Sequence, residues 1–235
     1  MGYGDKSAEI LILTVNYGDG KNRPIHPVII SDGRERVLID CGYPGQLADL
    51  ESAAELSGVP LSQLTAVIIT HHDHDHYGSL LDIREKYPSV EVMASELDAP
   101  YIDGTRRSLR LEQTDIMDID GMDEFRRAVA AVKPAPVDIT LRGGDVFPWC
   151  GGTEIIPTPG HMPGHISVYV RQRKVLITGD ALIAIGGRPR ISNPHYAIDA
   201  LLAKSSVEKL AEYDIDTFIC YHGGLARANP LHSRR

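Results

Sequence analysis

At roughly 150 residues per domain, a chain of 235 residues is one large domain or one domain with an insertion, and its 43% apolar and 24% charged content excludes disorder, collagen and coiled coil. The net charge of −8, from 24 basic against 32 acidic residues, argues against nucleic acid as a partner, because phosphate tracking needs clustered cations. Three widely spaced cysteines (Cys41, Cys150, Cys220), with neither a basic-then-apolar leader nor a membrane-length run, set the expectation of a cytoplasmic protein with no membrane partner.

Glu9 to Tyr17 reads as a strand, and Val37-Leu38-Ile39 as a second one that passes into a turn at Asp40-Cys41-Gly42. Leu47, Leu50, Ala54 and Leu56 recur at near-helical spacing up to Gly58, which suits a C-cap. Ala66 to Thr70 is a buried-type strand running straight into a histidine cluster, and Gly78 to Tyr87 reads as the following helix, stopped by Pro88. Residues from about Ser95 to Pro136 differ in character, with charged pairs and a helical stretch Met122 to Val132, and read as a cap inserted in a single domain. Strand signals return at Ile139, Thr153 to Pro157, Ile166 to Val170 and Val175 to Thr178, the last two forming a hairpin across Arg171-Gln172-Arg173. Pro194 to Leu210 reads as a helix with Ile198, Leu201, Leu202, Val207 and Leu210 on its apolar side, and Thr217 to Cys220 as a closing strand. Two sets of strands, each with its own helices, predict an α/β sandwich.

Four of the ten histidines fall within residues 71 to 76, at the C-terminal end of a strand, where open α/β sheets place their sites. In THHDHDHYG, residues 70 to 78, successive side chains of extended backbone alternate, which puts His71, Asp73 and Asp75 on one side. His76, beginning the helix, can swing back to join them, while His72 and His74 face elsewhere. Three further donors stand beside Gly at later strand ends: His161 in TPGHMPGH, Asp180 in LITGDAL and His222 in CYHGG. A surface metal buffer or a purification tag explains the cluster but not these three.

This pattern resembles the metallo-β-lactamase superfamily, in which H-x-H-x-D-H is followed in order by a His, an Asp and a final His. The match spans essentially the whole chain, including LIDCG at 38 to 42, with Thr70 and Gly78 setting the register. The resemblance implies a four-layer αββα sandwich. It implies that His71, Asp73 and His161 bind one metal, that Asp75, His76 and His222 bind the other, and that Asp180 bridges them, with a hydroxide between the metals as nucleophile. It also implies that Asp40 orients a metal-binding His, as ligating imidazoles require. His165 is expected to hydrogen-bond near the site, and GHMPGH looks like the glyoxalase II form of this segment.

One position departs from the pattern: the second His is Asp73, similar to the H-x-E-x-D-H of flavodiiron proteins. Two divalent ions, three carboxylates and a hydroxide then sum to zero, against +1 for the usual pattern, and the harder site favours iron or manganese over zinc. The reading that follows is a metal-dependent hydrolase of a small ester, thioester or lactone, with Asp75 or a metal-bound water passing a proton to the leaving group. Only 13 residues follow His222, too few for the helical domain that binds glutathione in glyoxalase II, which points to a small-molecule substrate. The alternatives are a non-haem iron redox enzyme, similar to flavodiiron proteins served by an electron-donor protein or to persulfide dioxygenases, and a low-turnover binding or signalling member. Arg106, Arg107 and Arg110 read as a solvated face, with an acidic substrate group as the alternative, and the same holds for Tyr77, Tyr101, His195 and Tyr196. Leu109, Leu111, Ile116 and Met117 would supply an apolar wall, and Cys220 a buried thiol.

Overall fold

The strand-forming runs sort into two six-stranded sheets in a computed structural model, which describes residues 8–16, 23–116 and 122–227. The N-terminal half supplies β1 Glu9–Ile12, β2 Val15–Asn16, β3 Pro24–Ile25, β4 Val28–Ser31, β5 Arg36–Ile39, β6 Ala66–Ile69, β7 Glu91–Ser95 and β8 Ile139–Leu141. The C-terminal half supplies β9 Val146–Phe147, β10 Thr153–Pro157, β11 Ile166–Val170, β12 Val175–Ile177, β13 Leu182–Ile185, β14 Arg188–Ile191, β15 Thr217–Cys220 and β16 Gly224–Arg227. The first sheet has the order β1-β4-β5-β6-β7-β8, the second β16-β15-β12-β11-β10-β9. Helices α1 Leu47–Leu56 and α2 Leu80–Lys86 follow β5 and β6, whose parallel pairing requires such crossovers. Helices α3 Ala99–Ile102, α4 Leu109–Ile116 and α5 Met122–Ala130 lie between β7 and β8, and α6 Ala200–Lys209 precedes β15.

The alternation of a strand divides the core into three slabs. Ala66 and Ile68 of β6 meet Ile155, Val168 and Ile177 of the opposite sheet, whereas Val67 and Ile69 turn outward onto Leu50, Leu80 and Ile83 of α1 and α2. A third slab, with Ile156, Tyr169, Leu176 and Leu210, lies on the far face of the second sheet under Val207 of α6. Helix, sheet, sheet and helix are the four layers expected. Each fully buried Val, Leu or Ile contributes roughly 1.5–3 kcal/mol, so β6, buried on both faces, anchors the loop that follows it.

Several boundaries differ from the sequence reading. The first strand breaks after Ile12, where Leu13 N–H donates to Pro27 O at 2.8 Å, and its expected end at Tyr17 lies outside the described residues. Helix α2 begins at Leu80, so His76 sits in a turn and not at a helix start. The single helix expected from Pro194 is a short 3₁₀ turn, Pro194–Tyr196, then α6, which Asp199 caps by accepting Leu202 N–H at 2.9 Å. Its supposed apolar side is in part solvent-facing, since Leu201 is 83% exposed and Ile198 and Leu202 more than a third. Strands β4 and β7 and the β13–β14 hairpin have no counterpart in that reading.

Gly78 closes the histidine loop against the turn after β5. Its N–H donates to Gly42 O at 2.8 Å, and a Cβ there would lie 2.3 Å from Pro44 N and 2.4 Å from His74 O. Both neighbours are backbone and cannot yield, so Gly78→Ala is expected to cost about 1–3 kcal/mol, the usual range for overpacking. Denaturant unfolding that leaves the midpoint where it is in the parent protein would refute this contact.

Candidate metal centre

The seven donor residues named above come from four separate loops and meet at the strand ends between the two sheets. Two groups of three close around common points: His71, His161 and Asp180, and Asp75, His76 and His222, the ligand atoms of each lying within 4.8 Å of one another. Asp180 spans both. Its Oδ2 is 3.5 Å from His161 Nε2, and its Oδ1 is 3.4 Å from His76 Nε2 and 3.5 Å from His222 Nε2. Asp75 Oδ2 stands 3.3 Å from His222 Nε2.

Hydrogen bonds behind the cluster fix which nitrogens are free. Asp40 Oδ1 accepts Thr70 N–H, and Oδ2 accepts both Thr70 Oγ1–H and His76 Nδ1–H, each at 2.8 Å. With its one proton committed to Asp40, Thr70 Oγ1 accepts from His71 Nδ1 at 3.0 Å. Both imidazoles therefore direct Nε2 inward. His71 Nε2, His76 Nε2 and Asp180 Oδ1 are buried without a hydrogen-bond partner, a state that protein interiors avoid unless something else fills the coordination. Such orphaned atoms, converging on shared points, fit divalent cations held by imidazole and carboxylate. His165 lies where the sequence reading puts it: Asp180 N–H donates to its Nε2 at 2.9 Å, and its Nδ1–H donates to Thr158 Oγ1 at 2.8 Å.

The electrostatics agree with a cation site. Burial disfavours the imidazolium of His76, yet the charges of Asp40, Asp75 and Asp180 outweigh it and raise its pKa well above the ordinary value. His222 is likewise raised, burial opposing and Asp180 and Asp75 prevailing. Burial acts to raise Asp180, but His222 and His76 hold it well below the usual carboxylate range. Burial and the neighbouring histidines push His71 and His165 down, so both favour the neutral form.

Asp73 is placed differently. Its Oδ2 lies 2.9 Å from His161 Nε2 and 3.4 Å from His71 Nε2, at the edge of the first group, but the same carboxylate is gripped by Arg110 of α4. Arg110 Nε donates to Oδ1 at 2.8 Å and Nη2 to Oδ2 at 2.7 Å. Burial works to raise Asp73, and Arg110 overrides it, holding the carboxyl well below its ordinary value. The solvated-face reading thus holds for the exposed Arg106 and Arg107, the latter paired with Asp115, and fails for Arg110, which is buried.

His72 and His74 stay out of both groups, as expected. His72 is wholly buried, stacked on Tyr101 at 4.3 Å, with its Nδ1 3.2 Å from Asp98 Oδ1. His74 lies edge-on to Phe125 of α5 at 5.3 Å. Tyr77 is buried rather than solvated, His195 and Tyr196 are exposed, and Met117 falls outside the described residues. Cys220 is a buried free thiol, like Cys41 and Cys150. Sequence reasoning missed Asp98, which accepts His72 N–H and Gly164 N–H, each at 3.1 Å, and so ties the two histidine loops together. It also missed Tyr221, whose hydroxyl donates to Asp75 O at 2.5 Å and accepts Gly42 N–H at 3.2 Å. Asp98 lies in no motif, and although Tyr221 stands beside His222 in CYHGG, only folding brings it to Asp75.

Residues 21–222 match the family model described as the metallo-beta-lactamase superfamily. The protein YobT of Bacillus subtilis is 30% identical over 70% of this chain and 64% of its own length. A hydroxyacylglutathione hydrolase of Ruegeria pomeroyi is 27% identical over 81% of this chain, which spans 58% of that enzyme's length. Among solved structures, the archaeal metallo-beta-lactamase superfamily protein ST1585 from Sulfolobus tokodaii superposes with a TM-score of 0.71 at 19% identity, covering 94% of this chain and 82% of that one. Among the described residues, no helix is long and apolar enough to cross a membrane.

If Asp40 sets the orientation of His76, Asp40→Asn should weaken metal retention on the order of 10–100-fold, the usual effect of removing a carboxylate behind a ligating His. Chelator competition on the loaded variant measures this, and an unchanged affinity would remove Asp40 from the centre.

Proposed function

The chain belongs to the metallo-β-lactamase superfamily, and on that premise we propose that it is a binuclear metal-dependent hydrolase of small esters, thioesters or lactones. The observation that carries this reading is Asp180, whose two oxygens face two separate donor groups at 3.4–3.5 Å, the arrangement a shared bridging carboxylate needs. The resemblance to a hydroxyacylglutathione hydrolase supports acyl transfer to water as the chemistry. Two bound divalent ions would supply Lewis acidity toward the substrate carbonyl and a water of lowered pKa.

The protein's own part is to hold the donors ionised and correctly turned. His71, His161 and Asp180, with Asp73 at their edge, would hold one ion, and Asp75, His76 and His222, with Asp180, the other. Tyr221 fixes the backbone of Asp75, and Asp180 is fixed through its N–H by His165, so neither carboxylate has to reorganise when charge moves. Burial acts to raise Asp75, but His76, His222 and His74 hold it below the usual carboxylate range and keep it ionised as a donor, and from this position it would relay the proton of the attacking water to the leaving group. Helices α4 and α5 cover this rim, with Phe125 against His74 and Arg110 against Asp73, which restricts entry to small substrates. Carboxylate donors at Asp73 suit iron or manganese as well as zinc. That donor set is also the feature favouring an iron redox enzyme as the second reading.

Metal-loaded protein should turn over simple esters, thioesters or lactones. His161→Ala should reduce turnover on the order of 100-fold or more, and Asp180→Ala should lower the metal content of both positions, since each loses a donor. Activity confined to phosphodiesters would reject carbonyl hydrolysis. Persulfide oxidation with oxygen uptake would establish the redox reading, and two ions still tightly bound in the Asp180 variant would end its role as bridge.

A further inference from the structure

Arg110 is a cationic side chain that contacts the donor cluster, and no part of the histidine motif calls for it. It reaches in from α4 with 6% of its surface exposed. Both of its forked donors are spent on Asp73, Nη2 also stands 3.2 Å from His161 Nε2, and Nη1 donates to Gln113 Oε1 at 3.2 Å. A guanidinium keeps its charge in any surroundings and matches a carboxylate in a planar fork.

We propose that Asp73 and Arg110 enter the metal centre as one neutral unit, Arg110 being the positioning residue that lets a carboxylate stand where H-x-H-x-D-H places a neutral imidazole. The inference rests on the two-metal reading above. Each carboxylate oxygen has two lone pairs, so beside the fork from Arg110 Asp73 Oδ2 keeps one that meets His161 Nε2 at 2.9 Å, with His71 Nε2 3.4 Å away, the side on which a cation shared with those imidazoles would be held. With two divalent ions, a hydroxide and the carboxylates of Asp73, Asp75 and Asp180, the centre would be neutral, and the fixed charge of Arg110 returns it to +1. The centre therefore keeps the net charge of the usual pattern while gaining a harder donor. The contact also makes α4 part of the centre, so the segment between β7 and β8 is anchored to a residue beside the ligands.

The test is a double-mutant cycle read by metal affinity, using zinc and manganese with a competing chelator at fixed ionic strength, and circular dichroism to confirm folding. Arg110→Met keeps the aliphatic stem and removes only the charge and donors. Asp73→His alone should lose affinity at the first position on the order of 10–100-fold, because an uncompensated guanidinium then stands beside two imidazoles and a cation. Asp73→His combined with Arg110→Met should regain parental affinity, whereas Asp73→His with Arg110→Lys, which keeps the charge, should stay weak. Arg110→Met alone should bind at least as tightly as the parent. If the His variant does not fold, Asp73→Asn carries the same expectations.

A merely structural Arg110 could not repair a defect at residue 73 by being removed. Failure of the double variant to recover, or an undiminished affinity in Asp73→His, overturns the proposal. A parent protein holding one ion per chain, or none, overturns the two-metal reading and this inference together. A fully loaded parent with no recovery in the double variant overturns this inference alone.

Discussion

Asp40 is the interaction on which the rest of the site depends. It follows β5 with φ of 60°, a left-handed conformation uncommon outside glycine, and its carboxylate accepts three hydrogen bonds from the end of β6 and the loop beyond. Two parallel strands are thereby joined at their C-terminal ends by a charged group that is 1% exposed. Because Asp40 takes the protons of Thr70 and His76, it decides which nitrogen of His76 directly, and of His71 through Thr70, is left unprotonated. One carboxylate thus converts the register of two strands into the chemical state of two imidazoles.

Around that anchor the protein assembles a cluster whose members repel or desolvate one another. Three carboxylates and four imidazoles converge in a space where several inward atoms have no hydrogen-bond partner, and burying such atoms is unfavourable by about 1–3 kcal/mol each. The structure offsets this from behind rather than from within. Tyr221 holds Asp75, His165 holds Asp180, Asp98 joins the two histidine loops, and Arg110 grips Asp73. All four supports belong to backbone segments anchored in the two sheets or in the α3–α4 region, so the rigidity of the site derives from the three core slabs.

The division of labour between the sheets follows from this. The first sheet carries Asp40 and the cluster from His71 to His76, and the second carries His161, Asp180 and His222 on its own strand ends. Neither half holds a complete donor group, since each group of three draws on both. The centre therefore forms only where the inner faces, with Ile68 and Val168 among their buried residues, have packed against each other. Metal binding and sheet packing are in this way coupled, each favouring the other.

Much of this was legible in the amino-acid order, because the signals are local. Apolar runs such as AVII announce a strand buried on both faces, and Gly58, with φ of 88°, ends α1 where its spacing indicates. Four candidate donors stand in the cluster after β6 and three more beside Gly at later strand ends, so all seven could be named in order along the chain. Strand β4 and the β13–β14 hairpin have no counterpart in the sequence reading, since VIIS is a short run behind Pro27 and β14 carries Arg188, Pro189 and Arg190, which no strand pattern favours. His76 was wrongly given to a helix because helical spacing cannot locate a first turn to within a few residues.

What the sequence by itself determined is the class of fold and which residues are the candidate donors, both of which rest on residue type and short spacing. What only the tertiary structure decided is the set of partners: Asp98 with the two loops, Tyr221 with Asp75, and above all Arg110 with Asp73, 37 positions apart in the chain. A run of three arginines in a charged segment has the same composition whether it faces water or a carboxylate. The register of α4 turned Arg110 inward, while Arg106 and Arg107 lie exposed in the loop before it, and that register is set by packing against a neighbour that local sequence does not specify.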